Sequence, residues 1–156
     1  ENYCGGDLEV VKEMLQDPNT VCGVADAGAH VGLICDASSP TSLLTHWGRD
    51  RKRGEKLSLE FLVRKQTRDT ARTYGLMDRG VIARGYKADL NLIDFQALRL
   101  LRPKLVYDLP AGGKRIIQKA EGYRHTFVSG VEVMRDGEAT GELPGQLLRW
   151  AQSAPG

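Results

Sequence analysis

Apolar and polar positions change their rhythm once along this chain, and the change divides it in two. Over residues 8–15, Leu8, Val10, Val11, Met14 and Leu15 fall on one helical face. Asp7 supplies an N-cap, and Asp17-Pro18-Asn19 ends the helix because proline disfavours helical geometry in the residue before it. The run Val21-Cys22-Gly23-Val24-Ala25 is apolar without alternation, which suits a strand buried on both faces in a parallel sheet. It stops at Asp26-Ala27-Gly28-Ala29-His30, and a long loop follows, with a short helix expected over residues 41–47. Ser58 is the next N-cap. Leu59, Leu62 and Val63 share a helical face that Ala71 and Tyr74 extend, and Gly75 is a good C′ residue. Helix, strand, helix in that order predicts an α/β unit over residues 1–75.

Beyond Leu76 the period shortens. Gly80 and Gly85 mark turns around Val81-Ile82, and Ala88-Asp89-Leu90-Asn91-Leu92-Ile93-Asp94 reads as a strand. Pro110, Gly112 and Gly113 break the chain. Residues 114–120 and 126–134 predict further strands, the second folding back at Ser129-Gly130, and Asp136-Gly137 is a strong turn signal between extended segments. Residues 76–145 therefore read as a small, mostly β module, and the remainder to Gly156 as a tail.

Composition narrows the function classes. The chain has 156 residues, 41% of them hydrophobic and 27% charged, with 22 basic against 20 acidic residues and a formal net charge of +2. That balance gives no general case for nucleic acid. The one dense basic run, Arg49-Asp50-Arg51-Lys52-Arg53, is interrupted by Asp50 and has no interleaved aromatics, so a solvated loop is expected. Cys4, Cys22 and Cys35 form neither a disulfide framework nor a Cys-x-x-Cys knuckle. Reduced thiols and a cytoplasmic location are expected, with no signal peptide at residues 1–6 and no apolar stretch of membrane-spanning length.

The chemistry-bearing residues cluster after the apolar run. A carboxylate at Asp26 directly follows the expected strand. In a parallel barrel, that C-terminal end is where active sites lie. His30 places an imidazole nearby, and together they are the usual oxygen and nitrogen donors of a hydrolytic metal site. On spacing alone, a turn-capping Asp26 and a surface His30 explain the same residues.

Resemblance shifts that balance. Val24-Ala25-Asp26-Ala27-Gly28-Ala29-His30 resembles the end of the eighth barrel strand in the amidohydrolase superfamily. Thr67, Ala71, Gly75-Leu76, Arg79-Gly80, Ile82, Gly85, Ala88-Asp89-Leu90 and Asp94 resemble that superfamily's passage from its last barrel helix into its β-sandwich. Two stretches point to the N-acyl-D-amino-acid deacylase (D-aminoacylase) branch. One is Cys35-Asp36-Ala37-Ser38-Ser39-Pro40-Thr41 with Leu44-Thr45-His46-Trp47. The other is Tyr107-Asp108-Leu109-Pro110-Ala111-Gly112-Gly113-Lys114-Arg115, continued by Asp136-Gly137-Glu138 and Leu143-Pro144-Gly145.

The resemblance implies the last segment of a (β/α)8 barrel in residues 1–75, followed by the C-terminal strands of a small β-sandwich and a tail in residues 76–156. It implies a hydrolase that cleaves the amide bond of N-acyl-D-amino acids with one or two divalent metals, commonly zinc. Asp26 would lie at the metal and act as the base that takes a proton from the attacking water. His46 and Trp47, with His30, would approach substrate, although a tryptophan that packs the loop down accounts for the same pair. The family's His-x-His pair and mid-barrel ligands have no counterpart among His30, His46 and His125. This chain alone is therefore expected to hold no stoichiometric zinc and to be inactive. Its apolar faces, unpartnered without the rest of a barrel, predict a homo-oligomer. The rival readings are a non-catalytic, self-associating folded fragment, and part of a hydantoinase- or dihydroorotase-like enzyme. The Tyr107-to-Arg115 stretch argues against the latter. No nucleic-acid or membrane partner is expected.

Overall fold

The computed structural model describes residues 7–23, 30–33 and 36–156. Helices occupy the first part. Helix α1 (Glu9–Gln16) presents Val11 and Leu15 to the interior. Its cap differs from expectation: Leu8 is the N-cap, and Asp7 Oδ1 instead accepts from Glu9 N–H at 3.1 Å. The short helix expected over 41–47 is longer. A 3-10 turn (Asp36–Ser38) runs into α2 (Ser39–Ser42), then into a wide π-helical passage (Leu43–Asp50) closed by Arg51 N–H on the His46 carbonyl at 2.9 Å. Helix α3 (Leu59–Arg64) begins at Ser58, whose Oγ accepts from Phe61 N–H at 3.2 Å. It continues through a π turn (Lys65–Asp69) into α4 (Thr70–Thr73), and Gly75 follows with φ +71. Tyr74 does not extend the buried face; it is 69% exposed.

Among the described residues, Val21, Cys22 and Gly23 belong to no strand, and Val24 and Ala25 lie outside the described residues. An extended run pairs its backbone only where strands lie alongside, and none of the described strands does so at residues 21–23.

Among the described residues the sheets are all in the second part, and every paired strand there is antiparallel. The four-stranded sheet orders β1 (Leu90–Ile93), β6 (Tyr123–Val128), β7 (Val131–Arg135) and β8 (Glu138–Ala139). Its two tight turns were legible: Ser129 and Gly130 have φ 52 and 82, and Asp136 and Gly137 have φ 47 and 85. Positive φ at both central residues is the turn geometry that matches strand twist. Two short ribbons complete the set, β2 (Arg99–Leu100) with β5 (Ala120–Glu121), and β3 (Lys104–Leu109) with β4 (Gly113–Ile117).

One core joins helices to strands. Leu44, Trp47, Leu57, Leu62 and Leu98 are its buried members, and Phe95, Ile93 and Tyr123 pack on it from the β side. Polar contacts follow the same seam. Arg49 reaches across to the carbonyls of Phe95, Gln96 and Leu98, and stacks over the Phe95 ring at 5.4 Å. Thr41 Oγ1 lies 2.6 Å from the Tyr123 hydroxyl, and Ser38 Oγ donates to Gln118 Oε1 at 2.6 Å. Gly48 is what lets the π-helical passage come this close. A Cβ there would stand 3.2 Å from a Leu62 methyl and 3.5 Å from the Phe95 ring. No helix among the described residues is long and apolar enough to cross a membrane.

Candidate functional site

Of the four residues singled out for chemistry, Asp26 lies outside the described residues. His30 is exposed at the start of a tight turn, with φ 45, and Leu33 N–H closes the turn on its carbonyl at 2.7 Å. A left-handed non-glycine residue persists where its surroundings over-determine it. Here the turn is fastened from outside: Ile116 N–H of β4 donates to the Val31 carbonyl at 2.7 Å. The β3–β4 hairpin, which carries the Tyr107-to-Arg115 stretch, is thereby docked on the segment that follows Asp26.

His46 and Trp47 sit together on the π-helical passage, with rings 5.1 Å apart and edge-on at 87°. Trp47 is only 6% exposed and belongs to the core. The Arg51 guanidinium covers its ring at 4.5 Å, and Arg51 is itself buried, donating through Nε to the Arg53 carbonyl and pairing through Nη2 with Glu9. This is the packing role weighed for Trp47. His46 Nε2 and Arg51 Nη1 are shielded from solvent without a hydrogen-bond partner among the described residues. Neither hydrogen bond nor ring contact links His30 to His46 or Trp47 among those residues.

Lys65 is a buried cation that sequence reasoning missed. It is 3% exposed, and its Nζ donates to the Asp17 carbonyl at 2.9 Å and to Thr20 Oγ1 at 3.1 Å. The ammonium thus ties the π turn to the end of α1 and to the start of the run leading toward Asp26. Lysine at one position of a helical pattern carries no sequence signal for burial. Nearby, an apolar cavity of about 570 Å³ opens between Val11, Leu15, Val21, Cys22, Pro40 and Leu43. Burial pushes the Cys22 thiol up, opposed by the Lys65 charge, which disfavours the reactive thiolate.

His125 is half-buried, with Nδ1 at 2.5 Å from Glu132 Oε1. Arg135 first, and then His125, hold the Glu132 carboxyl down at about 2, against ~4.3 for a free glutamate. A folded-state value below the unfolded one means that the carboxylate's contribution to stability is complete above pH ~4.3 and fades as the pH falls further. Glu132→Gln is therefore expected to lose less stability than the parent on acidification through that window. Melting curves at stepped pH test this, and an unchanged acid slope would refute it.

Several residues that carried the superfamily resemblance, Arg79, Gly80, Asp89 and Asp94, build turns. Arg79 pairs with Asp78 at 2.8 Å and with Asp89 at 3.2 Å, and Asp89 Oδ1 accepts from Ser129 N–H at 2.8 Å. Gly80, at φ +83, lies against Arg68, where a Cβ would come 2.8 Å from the Arg68 Cα. Asp94 Oδ1 accepts from Ala97 N–H at 3.1 Å while Oδ2 pairs with Arg124 at 3.0 Å, and both hold its carboxyl below the usual range. These residues shape the passage from helix to sheet.

Among the described residues, no group of three His, Cys, Asp or Glu side chains is placed to hold a metal ion. A catalytic zinc takes three protein ligands and an open position, so the described donors do not compose such a site. The profile of the amidohydrolase family matches residues 6–134. N-acyl-D-aspartate deacylase from Alcaligenes xylosoxydans xylosoxydans is 40% identical over 100 residues, which cover 64% of this chain and 18% of the relative. The chain thus spans less than a fifth of that relative's length. No solved structure matches.

Proposed function

Since this chain belongs to the amidohydrolase family, we propose that it forms part of a hydrolase that cleaves the amide bond of N-acyl-D-amino acids. The observation that carries this reading is the 40% identity to N-acyl-D-aspartate deacylase, which agrees with the branch to which the two branch-specific stretches point. In this reading residues 1–75 are the last segment of a (β/α)8 barrel and residues 76–145 the C-terminal strands of a β-sandwich. The antiparallel sheets and the helix-to-sheet core support it.

Asp26 is the proposed base. A carboxylate just past an apolar run accepts a proton from the attacking water and passes it to the leaving amine, provided it lies within hydrogen-bond reach of both. The metal dependence we propose comes from the family, and zinc is the proposed ion. In this reading Asp26 lies at the metal, and donors from other parts of the enzyme complete its ligand set. Exposed Val10, Met14, Val21 and Val63 support a further part of the reading: apolar side chains of the helical half are covered by protein, in a homo-oligomer or by the rest of a barrel.

Amine release from N-acyl-D- and N-acyl-L-amino acids tests the proposal. The whole enzyme is expected to hydrolyse the D series in a chelator-sensitive way, whereas the 156-residue chain shows no turnover above background. A whole enzyme that ignores every N-acyl-D-amino acid but opens a cyclic amide would replace this reading with the hydantoinase-like one.

A further inference from the structure

Residues 146–156 read as a tail in the sequence, yet part of that tail is bonded into the fold. Gln152 N–H donates to the Gly75 carbonyl at 2.8 Å, and Met77 N–H donates to the Gln152 carbonyl at 2.9 Å. The two bonds make a parallel bridge between Leu76 and Gln152. Two glycines leave room for it. A Cβ on Gly75 would stand 3.0 Å from the Ala151 Cβ, and one on Gly85 would stand 2.7 Å from the Pro155 Cβ. Residues 151–155 therefore lie along the segment 75–85 that joins the helical half to the β half. Trp150, just before them, is strained. Its φ is +80, a left-handed conformation that is costly for a bulky side chain. Its indole makes no ring contact among the described residues and is 92% exposed, so burial does not offset that cost. Gln152 holds the geometry instead, with Nε2 donating to the Trp150 carbonyl at 3.1 Å and to the Ala151 carbonyl at 3.3 Å.

We propose that residues 150–155 are a latch poised to open: closed, it locks the segment 75–85, and the strain at Trp150 favours its release. The closed state rests on two backbone bonds and on half-buried Gln152 and Pro155, while the residues around them are exposed. Sparse burial and exposed backbone bonds mark the parts of a fold that open first. Opening lets Trp150 relax and frees the Gly75 carbonyl and the Met77 N–H. The segment then keeps its own ties, among them Lys87 N–H on the Asp78 carbonyl at 2.8 Å and the pairs of Arg79 with Asp78 and Asp89. A strained residue within a weakly held strap gives two states of similar free energy, the arrangement that switch segments use.

Amide hydrogen exchange on the 156-residue chain tests the latch at three amides. Met77 reports the strap and Lys87 the segment beneath it. Leu57, bonded to the Trp47 carbonyl at 2.9 Å, reports the core. In the parent, Met77 is expected to be less protected than Leu57, because the latch opens without unfolding the rest. Gln152→Pro removes the N–H that Gly75 accepts but keeps the carbonyl that Met77 uses. Protection at Met77 and Lys87 should both fall, at Met77 by about tenfold, the scale of one lost hydrogen bond, with Leu57 unchanged. Trp150→Gly and Trp150→Asn suit a left-handed backbone and should raise Met77 protection several-fold, up to about tenfold. Trp150→Ala removes the indole, keeps the strain and should match the parent. Three results would each overturn the proposal: Met77 as protected as Leu57 in the parent, Lys87 unmoved by Gln152→Pro, or Met77 protection no higher in Trp150→Gly and Trp150→Asn than in Trp150→Ala.

Discussion

Asp26→Asn in the whole enzyme is expected to remove nearly all turnover, by a factor on the order of 10²–10⁴, the usual contribution of a positioned general base. Asparagine keeps the shape and volume of the side chain and loses only the ability to take a proton. Melting temperature and metal content should therefore stay near those of the parent, while kcat and kcat/KM fall together. The pH profile adds a second readout: the acid limb set by the carboxylate should disappear from whatever activity remains. Near-normal turnover in the variant would mean that Asp26 caps a turn, the role that spacing alone allows.

The second large effect is on stability. Gly122→Ala is expected to cost roughly 2–6 kcal/mol, combining about 1–3 kcal/mol for a disallowed backbone with a similar amount for overpacking. Gly122 has φ +101, and a Cβ on it would stand 2.6 Å from the Cα of Leu98 and 2.8 Å from its nitrogen. Both are backbone atoms that no rotamer change can move aside. Leu98 is fully buried in the core, so relief would have to come from shifting the loop that Arg49 holds. Gly137→Ala is the matched control, because φ there is +85 and nothing lies within 4 Å of the added carbon. Both variants stiffen the unfolded chain similarly, and the difference between their urea midpoints isolates the collision. Equal midpoints would show that the contact between residues 122 and 98 yields easily. Since whole domains are stable by only about 5–15 kcal/mol, the effect is large enough to read by any folding probe.

What was legible in the sequence was local. Ser58 as a cap, Gly75 as a helix stop, and the turns at Ser129-Gly130 and Asp136-Gly137 each depend on one or two residues and their own backbone, and each is present. The apolar run at residues 21–25 depends on neighbours, and its described half pairs with none. Asp7 at the start of α1 was read one residue out of register with the true cap. Periodicity located the helix at Trp47 but not its π widening. It was equally silent on the burial of Lys65, because a side chain's depth is set by what packs over it. At the candidate site, sequence supplied Asp26 and the hairpin stretch through resemblance. The docking of that hairpin beside His30 required coordinates, since the Ile116–Val31 bond spans a separation that no local pattern encodes.

The seam between helices and strands also has a consequence in time. Trp47 and Leu62 are covered by residues from the β half, and the Thr41–Tyr123 contact closes a separation of 82 residues. During synthesis at about 5–20 residues per second, roughly 4–16 seconds pass between the appearance of one partner and the other. Through that interval the helical half lacks the part of its cover that Tyr123 supplies. A pause in translation before residue 123 would lengthen that interval.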